Sequence, residues 1–123
     1  MKVVKEEGEY YDTIFTLGSN AKENHEIIKD SDKEDMWIHL SDFPSGHCII
    51  SKIPKKIDDD NKSTKLNEYN LKEILFACSM IKESSKYKNL KNLKFCYTSI
   101  KNIKITKNPG EVKILKKPNL INY

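Results

Sequence analysis

The chain has 123 residues, of which 37% are hydrophobic and 33% are charged. This length fits one domain with a modest core, because single domains peak at roughly 100–150 residues, and its recurring apolar residues exclude wholesale disorder. No apolar run approaches the roughly 18–20 residues that span a bilayer, and the start of the sequence turns acidic where a signal peptide is apolar, so we expect a cytoplasmic protein without a membrane partner.

The charge is divided unevenly along the chain. Residues 1–60 carry 8 Lys against 14 acidic residues, a balance of −6, and residues 61–123 carry 14 Lys against 4 Glu, a balance of +10. The chain contains no arginine, which argues against bidentate reading of guanine and favours recognition of shape or backbone. A basic half of this kind indicates a polyanionic partner, the alternative being a solvated surface that faces nothing.

The first half of the chain predicts strands and one short helix. Asn20 is the expected cap of that helix. In the strand predicted over residues 36–40, the residues Met36, Ile38 and Leu40 fall on one face, and Trp37 and His39 fall on the other. A turn-rich segment follows this strand and predicts a hairpin. The predicted strands are residues 10–17, 36–40 and 47–53, and the predicted helix is 20–28.

The second half begins with a polar segment, 55–65, which we expect to be a surface loop. Apolar residues then recur at helical spacing and predict one long amphipathic helix over residues 66–86. Further strands are expected at 93–97, 100–105 and 111–115. The predicted fold is α+β: one domain over residues 1–123, with a core at about 10–115 and flexible termini, in which a mostly antiparallel sheet packs against the long helix.

The sequence offers little for catalysis. Cys48, Cys78 and Cys96 lie among apolar neighbours and are expected to be reduced, buried thiols. His39 and His47 flank the hairpin turn and could begin a metal site, but no third ligand follows at a suitable spacing. We therefore expect neither a cofactor nor an enzyme, and a small metal-dependent enzyme built on the two histidines is the less favoured alternative.

A nucleic-acid surface is better supported. Lysines neutralise phosphates, and flat rings stack on unpaired bases. Tyr87 and Tyr97 are interleaved with the lysines, and Trp37 is expected on an adjacent exposed face, although core packing is the common fate of such rings. The predicted contacts are Lys82, Lys86, Lys88, Lys91, Lys94, Lys101 and Lys104.

Several strings, in order, resemble the RNA-binding domain of the NFACT family, often called NFACT-R. The most specific are residues 17–24 (LGSNAKEN), 35–40 (DMWIHL) and 44–50 (PSGHCII). Residues 77–79, 84–85, 97–98 and 109–112 continue the match. One departure is Ser45-Gly46 before His47, where the family commonly has Gly-Ser. The chain also resembles short eukaryotic members, and we expect a stand-alone member that lacks their coiled coil.

The resemblance implies a binding role. Long family members act in ribosome-associated quality control, where they bind the obstructed large ribosomal subunit and tRNA. For this chain we carry over only nucleic-acid binding, to Asn20, Asn24, Trp37, His39 and His47. These five residues are either a binding pocket or a structural clasp of the hairpin. The expected partner is tRNA or ribosomal RNA, and the alternative is a protein adaptor that docks on a ribosomal or other basic protein.

Overall fold

Six antiparallel strands form the main sheet of this computed structural model, which describes residues 1–55 and 68–123. The strands of this sheet lie in the order β1-β2-β4-β3-β5-β8, and β6 and β7 form a separate pair. The strands are β1 (Lys2–Glu7), β2 (Tyr11–Leu17), β3 (Met36–Leu40), β4 (Cys48–Pro54), β5 (Lys94–Ser99), β6 (Ile103–Ile105), β7 (Val112–Ile114) and β8 (Asn119–Asn122). The helices are α1 (Ala21–Lys29) and α2 (Leu71–Ser84), and a single 3-10 turn covers Ile100–Asn102.

Helices and a small hairpin cover the two faces of the main sheet. Alternation along β3 sends Ile38 to one face and Trp37 to the other. Ile38 packs in a buried cluster with α2 residues such as Ile81. Trp37 packs with Ile27 of α1 and Ile103 of β6 in a second cluster. The result is three layers, with α2 on one side and α1 with the β6–β7 pair on the other.

The first turn of α2 is fixed by one carboxylate. The Asn70 side chain accepts a hydrogen bond from the Glu73 backbone N–H, and Glu73 Oε1 accepts one from the Asn70 N–H, which forms a capping box. Glu73 Oε2 also forms an ion pair with Lys52 of β4 and accepts a 3.4 Å hydrogen bond from the Thr13 hydroxyl of β2. Glu73 therefore both starts the helix and ties it to two strands.

The expected α+β class with an antiparallel sheet is confirmed, as are the hairpin of β3 and β4 and the buried state of the three free cysteines. The single long helix over residues 66–86 is not confirmed, since α2 has 14 residues; the described residues contain two α-helices, of which α1 corresponds to the short helix predicted at 20–28. No helix in the described ranges combines the length and apolar character that crossing a membrane requires. The predicted loop at 55–65 lies, apart from Lys55, outside the described residues, as do positions 66 and 67 of the predicted helix.

Three segments differ from the sequence-based expectation. Residues 100–102 form a 3-10 turn instead of the start of a strand, because the Ile100 and Lys101 N–H groups bond to carbonyls of the segment before β3. Both chain ends, expected outside the core, form edge strands: β1 pairs with β2, and β8 pairs with β5. Because most of their residues are exposed, the sequence shows no clear alternation of apolar and polar residues there. These two strands are defined by backbone hydrogen bonding to their neighbours.

Candidate nucleic-acid interface

An open cleft of about 590 Å³ lies at one end of the main sheet. Strands β2 and β3 end there, and β4 begins there. The lining comes from five segments: the start of α1, strand β3, the β3–β4 turn, the end of α2 and the turn after β6. The lining residues are Ser19, Asn20, Ala21, Asn24, His39, Pro44, Ser45, Gly46, His47, Ser84, Ser85, Lys86, Pro109 and Gly110. This end of the sheet therefore gathers most of the strings that carry the family resemblance.

Two glycines bring the backbone of the cleft into close contact. The Gly18 N–H donates a 3.0 Å hydrogen bond to the His47 carbonyl. A Cβ atom placed on Gly46 would lie 2.3 Å from the Gly18 carbonyl oxygen, which is too close for any side chain. The order Ser45-Gly46 thus places the residue without a side chain at the contact.

Asn24, Trp37 and His47 form a buried clasp. The Trp37 indole Nε1 donates to His47 Nδ1 at 3.2 Å, and the His47 backbone N–H donates to Asn24 Oδ1 at 3.0 Å. Trp37 is only 1% exposed, so the expected exposed position of its ring is wrong. Its ring packs inside the protein and cannot stack on a base in this arrangement. Asn24 and His47 still line the cleft, and Trp37 positions His47 from behind.

His39 completes the aromatic group at the cleft wall. Its ring centroid lies 4.4 Å from that of His47 and 5.7 Å from that of Trp37. Burial lowers the pKa of His39 to about 4. Burial, and then the neighbouring His39, lower the pKa of His47 to about 3. Both rings are therefore neutral at pH 7, and His47, whose Nδ1 accepts from Trp37, carries its proton on Nε2.

The two histidines come together as the hairpin predicts, with ring centroids 4.4 Å apart. Among residues 1–55 and 68–123, no group of three or more His, Cys, Asp or Glu side chains could hold a metal ion. His47 Nδ1 is also engaged by Trp37. His39 and His47 thus contribute uncharged, flat rings to the cleft wall. The described residues form no metal centre there.

Asn20 lies at the cleft mouth as the cap of α1. Its side-chain oxygen accepts from the Glu23 backbone N–H at 2.9 Å, which leaves the amide NH₂ as the group that can donate to a ligand. The Glu23 carboxylate in turn accepts from the Ser19 hydroxyl at 2.6 Å. This hydrogen bond is the main reason why the pKa of Glu23 falls to about 2. Asn20 thus combines a structural and a potential binding role.

The predicted lysines fall into two groups. Five of them lie between the last turn of α2 and the first residue of β5, and we call them the cleft-end lysines: Lys82, Lys86, Lys88, Lys91 and Lys94. None of the five forms an ion pair with an Asp or Glu side chain of the described residues. Lys86 lines the cleft, and Lys82 donates to the Tyr123 main-chain oxygen at 3.3 Å.

Lys101 and Lys104 lie elsewhere. Lys101 follows the opposite end of β5, a strand that spans about 17 Å at the usual rise per residue, and its Nζ lies 3.2 Å from Glu34 Oε1. Lys104 is exposed on β6 over the second face of the sheet. The structure therefore does not join all seven predicted lysines in one strip at the cleft.

A stacked pair of rings beside the cleft was not predicted. Phe43, in the β3–β4 turn, and Tyr87, after α2, have ring centroids 4.4 Å apart and an interplanar angle of 27°. Tyr87 drew attention in the sequence because it lies among lysines. Phe43 gave only one signal, an aromatic residue inside a turn of Ser, Asp, Pro and Gly.

A family model described as "NFACT protein RNA binding domain" matches residues 4–116. The chain belongs to the NFACT RNA-binding domain family. Among solved structures, this NFACT domain is similar to the C-terminal part of the fibronectin/fibrinogen-binding protein from Streptococcus suis, with a TM-score of 0.71 and 18% identity. The match covers 99% of the present chain and 48% of that chain, so the present chain spans about half of its length. At this identity the likeness shows the fold alone, and a search of curated proteins finds no significant match.

Proposed function

We propose that this NFACT domain is a non-catalytic module that binds tRNA or ribosomal RNA in the cytoplasm, in a context of ribosome-associated quality control. The observation that carries the proposal is the coincidence, at one end of the sheet, of the cleft formed by the family strings and of five lysines that form no ion pair with an Asp or Glu side chain of the described residues. Family membership supports RNA as the ligand, and the ribosomal context rests on the resemblance.

The two parts of this surface have different roles in the proposal. The cleft-end lysines supply affinity. Each ammonium group that replaces a counterion on a phosphate releases that counterion, which increases the binding affinity for RNA of any sequence. The uncharged part of the cleft wall, which includes Asn20 and His39, supplies shape and hydrogen bonds. Lysine in place of arginine fits recognition of the sugar–phosphate backbone over base-pair reading.

Titration of fluorescently labelled tRNA at several salt concentrations tests the proposal. If the cleft-end lysines contact five phosphates, the plot of log K against log salt has a slope of roughly −3.5 to −4.5. Absence of binding at low salt, or affinity independent of salt, would contradict RNA binding.

A second measurement separates RNA binding from the protein-adaptor alternative. Ribosomes are incubated with the tagged domain, with and without RNase treatment, and the retained ribosomal proteins are identified. Under our proposal RNase treatment releases the domain. A domain that stays on a ribosomal protein after RNase treatment, and that fails to bind purified tRNA, would instead be an adaptor.

A further inference from the structure

Phe43 presents an exposed ring at the edge of the cleft. The side chain is 38% exposed, although it belongs to the turn that contributes Pro44 to the cleft lining. Its ring stacks on Tyr87, and Tyr87 packs against the main buried cluster beneath α2. The turn that carries Tyr87 is itself held, because the Ser85 hydroxyl accepts from the Tyr87 N–H at 3.1 Å. Phe43 therefore presents a partly exposed ring, which we call the plate, and this ring stacks on Tyr87, which is itself held in place.

The surroundings of this plate are cationic on one side. Lys86 Nζ lies 5.6 Å from the centroid of the Tyr87 ring, within the range of a cation–π contact, and Lys86 also lines the cleft. Lys88 is exposed one residue beyond Tyr87. Asp42 precedes Phe43 in the turn and is also exposed. An approaching phosphodiester is attracted by Lys86 and Lys88 and repelled by Asp42.

We propose that Phe43, supported by Tyr87, is a stacking plate for an unpaired base of the bound RNA, whose sugar–phosphate chain passes Lys86 into the cleft. This inference rests on the proposed function and narrows the ligand to RNA with a single-stranded nucleotide at this position. A cleft of about 590 Å³ has room for one nucleotide beside the plate.

Two alternatives fit the plate less well. A base inside a duplex keeps both its faces covered by neighbouring bases, so an exposed ring gains nothing by stacking on it. An apolar protein partner needs a contiguous apolar patch, whereas in the turn only Pro44 accompanies Phe43, and Ser41, Asp42 and Ser45 are polar. A single flat ring beside unpaired lysines matches the pattern by which proteins hold single strands.

The test compares ligands of equal charge. The full chain is titrated with a labelled single-stranded RNA of uridines, with the same strand carrying abasic sites, and with a duplex of half that length, which carries about the same number of phosphates. The variants are Phe43→Leu, which keeps an apolar side chain without a π-face, and Phe43→Trp, which keeps the plate. The control is Phe76→Leu, because Phe76 is similarly exposed, at 41%, but lines a different cavity with Glu6 and Asn70 near the start of α2. Thermal melting verifies that each variant is folded.

We expect the wild-type chain to bind the uridine strand about 5- to 100-fold more tightly than the abasic strand. Phe43→Leu removes most of this preference, and Phe43→Trp and Phe76→Leu keep it. Salt-dependent RNA binding in which the abasic strand or the duplex binds as well as the uridine strand, or in which Phe43→Leu has no effect, overturns the stacking plate and leaves the proposed function intact. A failure of every RNA to bind at low salt overturns both.

Discussion

Asn24 and His47 hold the α1 start against the hairpin through a single buried hydrogen bond. A buried N–H that loses its acceptor costs more than the bond itself contributes, because the group remains desolvated. Neither residue can therefore be understood only as a ligand contact. Of the two interpretations left open by the sequence, the hydrogen bonds show the structural clasp, which shapes this part of the cleft wall, and the binding pocket stays a prediction.

We expect Asn24→Ala to lower the free energy of unfolding by about 1–3 kcal/mol, since the His47 N–H is then left without its acceptor. Urea denaturation at pH 7 measures the change. Asn89→Ala is the matched control, because Asn89 is exposed and the described part of the chain gives it no hydrogen bond. Equal stability of the two variants would contradict the clasp.

The buried histidines predict a loss of stability in mild acid. In the unfolded chain both pKa values return to about 6.5, whereas in the folded chain they are about 4 for His39 and about 3 for His47. Stability from these groups is complete above pH 6.5. As the pH falls toward 4, the unfolded state binds protons that the folded state does not, so the free energy of unfolding decreases. We expect a loss on the order of 2–4 kcal/mol between pH 7 and pH 5.

Urea denaturation at the two pH values measures this loss, and an NMR titration of the imidazole C–H resonances identifies its source. His39→Gln is the informative variant, because it removes one of the two groups and reduces the pH effect. Imidazole midpoints near 6.5 for both residues would contradict the burial argument.

For single residues, the sequence could predict which residues belong to the candidate site better than it could predict whether their side chains are buried or exposed. The spacing of Asn24, His39 and His47 carried the family resemblance, and the hairpin brought the histidines together. The exposure of Trp37 could not be predicted, because alternation in β3 defines two faces but not what covers the second one. That face is covered by α1 and by β6, which is distant in sequence.

The helices illustrate how local signals operate at the scale of elements. Asn20 was predicted as a cap and is one, and Asn70 caps α2 in the same manner. The apolar spacing of α2 was correctly assigned to a helix, but its bounds were too wide, because periodicity does not mark the first and last turns. The capping box does mark the first turn, and it begins the helix at Leu71.

We expect Asn70→Ala to cost about 0.5–2 kcal/mol of stability, the usual range for loss of an N-cap side chain. Chemical denaturation measures it, and Asn89→Ala again serves as the reference for an exposed asparagine. Retention of full stability in Asn70→Ala would show that the tertiary contacts of Glu73 alone fix the start of α2.

Over the whole molecule, the sequence shows how much positive charge the second half of the chain carries, and the structure shows where on the surface that charge lies. The excess of lysine in residues 61–123 was evident from composition. Its division between the cleft end and the far end of β5 depends on the reversal of the chain after Ser99, which composition cannot reveal. Lys101 is also paired with Glu34, a residue of the acidic half.

The division predicts unequal effects of neutralisation on RNA binding. Replacing Lys86, Lys88 and Lys91 by Gln should make the slope of log K against log salt shallower by about 2–3, because each lost phosphate contact contributes about 0.7–0.9. The same change at Lys101, Lys104 and Lys113 removes an equal charge from the other parts of the surface and should alter the slope by less than 1. Equal losses in the two triple variants would mean that RNA responds to net charge only.

The anchoring of α2 has a consequence for the distant end of this helix. Its 14 residues form a rod about 20 Å long, which is attached at Glu73 to two strands. The rod ends at the cleft with Ser84, and Lys86 follows two residues later. A tilt of about 3° at the attachment would displace the far tip by about 1 Å. Glu73→Gln, which weakens the attachment without touching RNA, should therefore loosen tRNA binding in the titration, and unaltered affinity would show that the rod is held straight by its packing alone.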